Sequence, residues 1–246
     1  MTTEKITWVG HGSWKFVTNN GTVMYIDPWI TGNPASAITM EDTNDAQVVC
    51  VTHGHIDHLG DAIQICKNTG AILVCSTEVG YYAATQGIPF DDRNGTTEPG
   101  GSIQIMDCRI RATFAVHNSD VWGIESAETG QPLLGSGAMG FIIEPEGGKS
   151  VWFMGDTGLY SDMKMYGEIY RPHVAVIPIG DKYLMGVNEG AYAAGFIGAP
   201  VVIPGHYDTF PGDTTDTDKF KELCAARAPY TTVEVLKQGG SYEFEA

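Results

Sequence analysis

Six consecutive residues, His53-Gly54-His55-Ile56-Asp57-His58, place three imidazoles and a carboxylate in one short stretch. They follow an apolar run, Ala46 to Val51, that reads as a buried strand. Imidazole nitrogen and carboxylate oxygen are the donors that zinc, iron and manganese take from proteins. On an extended or turning backbone His53 and His55 point the same way, while Asp57 and His58 swing to a neighbouring position. Such a cluster can hold two ions side by side. The plain alternative is a surface loop rich in histidine by chance, which would need three of the chain's seven histidines to converge by accident. Metal binding is the stronger reading.

Three more candidates stand where the sequence expects strands to end. His117 follows the apolar strand Ala112 to Val116. Asp156 lies in Phe153-Met154-Gly155-Asp156-Thr157-Gly158, after the strand Ser150 to Met154, and His206 ends the run Val201-Val202-Ile203-Pro204-Gly205. Open α/β layers place their ligands at such C-terminal strand ends.

The pattern H-x-H-x-D-H after a hydrophobic strand, with these residues following in order, resembles the metallo-β-lactamase superfamily from about residue 5 to about residue 240. Segments such as Trp8-Val9-Gly10-His11-Gly12-Ser13, Ile26-Asp27-Pro28-Trp29, Pro178-Ile179-Gly180-Asp181 and His206-Tyr207-Asp208-Thr209-Phe210 resemble one branch. Its members are metal-dependent hydrolases similar to the bacterial ascorbate-6-phosphate lactonases. The resemblance implies a four-layer αββα sandwich. It also implies His53, His55 and His117 on one metal, Asp57, His58 and His206 on the other, and Asp156 bridging both. Two divalent ions, zinc or manganese with iron possible, would then carry a bridging hydroxide that cleaves a small ester, lactone or amide.

Three residues are candidates for catalytic roles. Asp57 would act as a general base if only one ion is bound. His11, between two glycines, is either a turn residue or, because the resemblance sets this turn beside the metals, a residue touching a ligand or the substrate. Tyr207, beside His206, is either an oxyanion donor or a packing residue. His173, after Pro172 and away from any ligand motif, reads as structural, and Asp181 as a turn cap or a residue orienting a ligand.

The elements that must position these groups follow from periodicity and turn signals. Ile6 to Val9, Ser13 to Thr18 and Val23 to Ile26 read as short strands, with a hairpin at Asn19-Asn20-Gly21. Leu59 to Asn68 reads as a helix, Ala71 to Cys75 as a strand and Thr77 to Gln86 as a helix. Ser102 to Met106 and Arg109 to Val116 form a hairpin, as do Phe141 to Glu144 and Ser150 to Met154. Helices are expected over 162–171, 188–198 and 217–226, and strands over 174–179, 231–237 and 242–244. No repeat is visible. With ligands spread from His53 to His206, any division would cut the site, so residues 1–246 read as one domain.

Composition narrows the class. The 43% hydrophobic content supports a sizeable core, and the net charge is −16, from 14 Lys and Arg against 30 Asp and Glu. Such a surface repels nucleic-acid phosphates and anionic lipid, so the expected partner is a small-molecule substrate, with a homo-oligomer possible. The five scattered cysteines suit small buried hydrophobes. No stretch approaches a membrane span, and a cytoplasmic location is the default expectation.

Alternatives from other classes are a phosphodiesterase or sugar-phosphate lactonase, a diiron oxygen- or NO-reducing site, and a non-catalytic metal-binding protein. The diiron relatives usually carry Glu where His55 stands here. Residues 28–45, 118–140 and 206–217 contain no Lys or Arg, and the second of these carries Asp120, Glu125 and Glu128. Phosphate recognition draws on such cations. A neutral or weakly charged substrate, held against Trp29, Trp122 or Phe210, is therefore expected.

Overall fold

Alternation along β1 (Thr3–Gly10), with Glu4, Ile6 and Trp8 turned inward, gives a strand whose other face is only partly covered. By contrast β11 (Val174–Pro178) and β12 (Val201–Gly205) are buried at every position, as parallel strands covered on both faces must be. The computed structural model describes residues 2–91, 95–121, 130, 133, 135, 137–210 and 214–246.

Two seven-stranded sheets result. The first runs β14 (Ser241–Glu245), β1, β2 (Ser13–Val17), β3 (Val23–Ile26), β4 (Val48–Cys50), β5 (Ile72–Cys75), β6 (Gly95–Thr96). The second runs β13 (Thr232–Val233), β12, β11, β10 (Val151–Phe153), β9 (Met139–Pro145), β8 (Cys108–Phe114), β7 (Ser102–Ile105). Pairing is antiparallel from β14 to β3 and from β7 to β10, and parallel beyond. The halves thus repeat one pattern that leaves no trace as a sequence repeat.

Across the sandwich Phe153 meets Trp14 and Phe16, with centroids 6.4 and 6.0 Å apart. A fully buried phenylalanine contributes about 1.5–3 kcal/mol. Outside the first sheet lie α1 (Ile56–Leu59), α2 (Ala62–Thr69) and α3 (Thr77–Thr85), where Val49, Leu59, Ile65 and Val79 share a second apolar cluster. Outside the second sheet lie α4 (Met163–Tyr170), α5 (Val187–Ile197) and α6 (Thr217–Arg227). The architecture is the four-layer αββα sandwich.

Local boundaries differ from expectation in a few places. The helix expected from Leu59 breaks at Gly60, whose φ is +41° and where a Cβ would fall 2.6 Å from the Pro28 carbonyl oxygen. Asp61 then binds the 28–31 turn, accepting from the amides of Ile30 and Thr31 at 2.8 Å each. The strand expected over 231–237 keeps ladder pairing only at Thr232 and Val233. All five cysteines are free and buried.

Candidate metal centre

The loops that carry the candidate residues leave the two sheets at one end, and main-chain bonds stitch them together. The Thr52 carbonyl accepts from Met139, the Val116 carbonyl from Gly158, and the His11 carbonyl from His206 at 3.1 Å. His53 and His55 follow β4, and Asp57 and His58 sit on the single turn of α1. His117 lies three residues beyond β8, Asp156 three beyond β10, and His206 directly after β12.

Three nitrogens converge in a first group. His55 Nδ1 lies 3.0 Å from His53 Nε2 and 3.4 Å from His117 Nε2. Burial is the main cause that lowers the pKa of all three rings, and neighbouring histidines add to it. The neutral form so favoured is the one that binds metal.

A second group comprises Asp57, His58, His206 and His11, whose ligand atoms lie within 4.8 Å of one another. Asp156 stands between the groups. Its Oδ1 is 3.3 Å from His58 Nε2, and its Oδ2 is 3.3 Å from His206 Nε2 and 3.7 Å from His117 Nε2. Burial would raise the Asp156 pKa, but His206 and His58 outweigh it and hold the carboxylate well below its usual range. Asp57 is lowered likewise, by His58 and a hydrogen bond from His11 against the effect of burial. His58 is raised, because Asp156, Asp27 and Asp57 together exceed the desolvation that opposes its charge.

Buried His58 Nε2, Asp156 Oδ1 and His206 Nε2 make no aligned hydrogen bond although they crowd together. Leaving one such polar atom unpaired costs about 1–3 kcal/mol. Three of them aimed at one another, all nitrogen or carboxylate oxygen, fit divalent cations of the zinc, manganese and iron type. The seven residues expected as ligands are therefore brought together with donor atoms that suit a metal.

Behind them lies a layer the sequence did not reveal. The buried Asp27 carboxylate accepts from the Thr52 amide and hydroxyl at 2.7 Å each and from His58 Nδ1 at 2.9 Å. With Nδ1 donating to Asp27, His58 would present a lone pair at Nε2 to the cluster once an ion displaces its second proton. The Thr52 hydroxyl, having given its hydrogen to Asp27, accepts from His53 Nδ1 at 3.0 Å, so His53 also presents Nε2 as a lone pair. One carboxylate thus orients a ring in each group. In the sequence Asp27 showed only as an aspartate before proline at a strand end, within one of the segments that resemble the hydrolase branch.

His11 touches Asp57, with Nε2 to Oδ2 at 2.9 Å, and Thr209, with Nδ1 to Oγ1 at 2.6 Å. Burial lowers its pKa to about 4, with His206 adding to the effect. Gly12 gives the rings room, since a Cβ there would lie 2.8 Å from His58 Cε1.

A cavity of about 780 Å³ opens beside His11, Asp57 and His206, walled also by Tyr183, Phe210 and Thr215. Lys182 is the one Lys or Arg among its described lining residues. Trp29 flanks it, 5.2 Å from the His11 ring and 6.3 Å from Phe210. Tyr207 packs its ring on Trp8 with centroids 4.9 Å apart, and burial raises its hydroxyl to about 12. Tyr207 also lines the cavity. Asp181 occupies a turn, its amide bonded to the Met185 carbonyl. His173 lies away from the cluster against Phe244. Trp122, Glu125 and Glu128 fall outside the described residues.

The chain is similar to known metal-dependent hydrolases. Residues 22–207 match the model of the Beta-lactamase superfamily domain. The chain is 39% identical over 243 residues to a UPF0173 metal-dependent hydrolase of Methanosphaera stadtmanae, covering 98% of this chain and all of that one. It is 40% identical over 239 residues to another of Methanopyrus kandleri, covering 97% and 99%. Among solved structures it resembles Igni18, a metallo hydrolase from Ignicoccus hospitalis, with a TM-score of 0.84, 33% identity and complete coverage of both chains.

Proposed function

Because the chain belongs to the beta-lactamase superfamily as one of its metal-dependent hydrolases, we propose that it is a dinuclear enzyme that cleaves a small, neutral or weakly charged carboxylic ester, lactone or amide. The observation that carries this reading is the position of Asp156, whose two oxygens face His58 on one side and His206 and His117 on the other. A carboxylate so shared suits two ions: His53, His55 and His117 would hold one, and Asp57, His58 and His206 the other. Zinc or manganese fits these donors.

Bound there, a pair of divalent ions supplies a water acidic enough to react near neutrality and a Lewis acid for a carbonyl oxygen. The chain's own residues do the rest. Asp57 faces the cavity with Oδ2 held by His11; with both ions bound it would serve as a ligand, and only with a single ion bound would it be free to take a proton from water. Water adds across the C–O or C–N bond, and a carboxylic acid and an alcohol or amine depart. Trp29 and Phe210 offer an apolar wall for the group attached to that bond.

Charge argues against a phosphorylated substrate. The described cavity wall carries Asp57, Asp181 and Asp208 against the single cation Lys182, whereas a remote phosphate is normally met by several Arg or Lys donors. The test compares kcat/KM for matched neutral and phosphorylated lactones at low salt. A preference for the neutral compound is expected. A preference for the phosphorylated one that fades as salt rises would defeat the proposal and favour the sugar-phosphate lactonase alternative. Absence of turnover across esters, lactones, amides and phosphodiesters by fully loaded protein would favour a non-catalytic metal-binding role.

A further inference from the structure

The His11 ring raises a choice that distance alone leaves open. Its Nε2 lies close enough to Asp57, His58 and His206 to be a further ligand of the second ion. The ring is 3% exposed and lies over His206, centroids 3.7 Å apart, so a second proton would bury a charge at high cost. A neutral imidazole carries one N–H, on one nitrogen or the other.

Suppose the proton is on Nδ1. Thr209 must then accept it and send its own hydrogen elsewhere, and the carbonyl of Tyr207 is 3.5 Å away, at the limit of hydrogen bonding. The Nε2 lone pair would also face an Asp57 oxygen at 2.9 Å. With the proton on Nε2 both contacts are satisfied. The Thr209 hydroxyl donates to Nδ1 at 2.6 Å, and Nε2–H donates to Asp57 Oδ2 at 2.9 Å.

Two further observations agree. Asp57 Oδ2 stands 3.7 and 3.8 Å from the Nε2 atoms of His58 and His206, a spacing suited to atoms that share an ion. Its 2.9 Å contact with His11 has the length of a hydrogen bond. Coordination points the same way, because Asp57, His58, His206 and Asp156 already offer four protein ligands. A fifth from His11 would close the position that a catalytic ion keeps open.

We infer that Thr209 is a positioning residue: its hydroxyl fixes the tautomer of His11, which makes His11 a hydrogen-bond donor to Asp57 and keeps it from binding an ion. Donation to Oδ2 holds the carboxylate in one rotamer and draws charge from the oxygen that faces the second ion. Partners of this kind typically change metal affinity ten- to a hundred-fold. The inference rests on the metal-centre reading above only in needing an ion beside Asp57.

The experiment uses the full chain with isotope-labelled histidine, loaded first with zinc and then with an NMR-active cadmium isotope. In the wild type, His11 is expected to carry its proton on Nε2 and to show no coupling to cadmium. Thr209→Val should lose that tautomer preference and bind the second zinc about ten-fold more weakly, and Thr209→Ser should restore both. Cadmium coupling at His11 Nε2, a proton on Nδ1 in the wild type, or a Thr209→Val protein unchanged in both readouts would overturn the assignment. Should Thr209→Val fail to fold, the wild-type spectrum still decides. None of these readouts needs a substrate, so a failure of the hydrolase reading would be seen separately.

Discussion

Replacing Asp27 by asparagine isolates what one buried carboxylate does for the metal centre. Asparagine keeps the shape and tolerates the left-handed backbone at this position, where φ is +50°. What changes is the hydrogen-bond inventory. Three donors now point at two carboxylate oxygens: the Thr52 amide at Oδ1, and the Thr52 hydroxyl with His58 Nδ1 at Oδ2. An amide has one oxygen, so either orientation sets its NH2 group against a buried donor. Aimed at the Thr52 amide, it leaves a backbone N–H unpaired, at a cost of about 1–3 kcal/mol. Aimed at His58, it favours the other tautomer, with the proton on Nε2, where the lone pair for the ion should be. Loss of such a partner lowers metal affinity about ten- to a hundred-fold, or about 1.4–2.7 kcal/mol. Asp27→Asn should therefore unfold at lower urea concentration when metal-free and bind the second zinc ten- to a hundred-fold more weakly in chelator competition. Asp27→Asn with wild-type zinc affinity and an unchanged His58 ring spectrum would refute the account of how the rings are aimed.

Purified protein reloaded with zinc or manganese should hold about two ions per chain by elemental analysis, and Asp156→Ala should lose metal and activity together; an active variant with full metal content would be inconsistent with a shared carboxylate. Gly12→Ala places a methyl 2.8 Å from His58 Cε1 and 3.4 Å from His206 Cδ2, so it should weaken the second ion while sparing the first, which stepwise titration with a chromophoric chelator resolves. In metal-free protein, burial lowers His11 to about 4 and lowers His53, His55 and His117 as well, so their contribution is complete above pH 6.5 and falls away as pH drops below it, for His11 down to about 4. His58, raised by its carboxylate neighbours, runs the other way, but four groups oppose one. A urea midpoint that rises on acidification from pH 7 would contradict the sign.

Much of the architecture was legible because each signal is local. Short apolar stretches split by turn signals gave β1, β2 and β3, and continuous apolar runs gave β11 and β12. The ligand groups were legible for a similar reason, since four of them are packed into Thr52–His58 and the others stand at strand ends. What escaped were partners joined only by the fold. Asp27 and His58 are 31 residues apart, and His11 and Thr209 are 198 apart. No periodicity links such positions, and Asp27 before proline looked like a strand terminator. The break at Gly60 escaped too, because the constraint there is the Pro28 carbonyl from a distant turn.

Backbone strain shows how the centre is held. Seven described non-glycine residues have positive φ, and five of them, His11, Asp27, Asp181, His206 and Asp208, lie in the loops at the metal-centre end of the sheets. The others have local reasons, Met106 in the β7–β8 turn and Arg171 at the end of α4. Each such conformation costs about 1–2 kcal/mol beside glycine, yet glycine carries neither an imidazole nor a carboxylate. The cost is tolerated where the side chain is needed, and neighbouring bonds hold the strained corners. The His11 carbonyl accepts from the His206 amide and from the Trp8 indole at 2.8 Å, and Gly205 lets the Trp14 ring approach to where a Cβ would sit, 2.5 Å away. His206 and His11 are therefore clamped backbone to backbone, and a change in either loop moves the residue proposed to hold a second ion together with the ring that contacts Asp57.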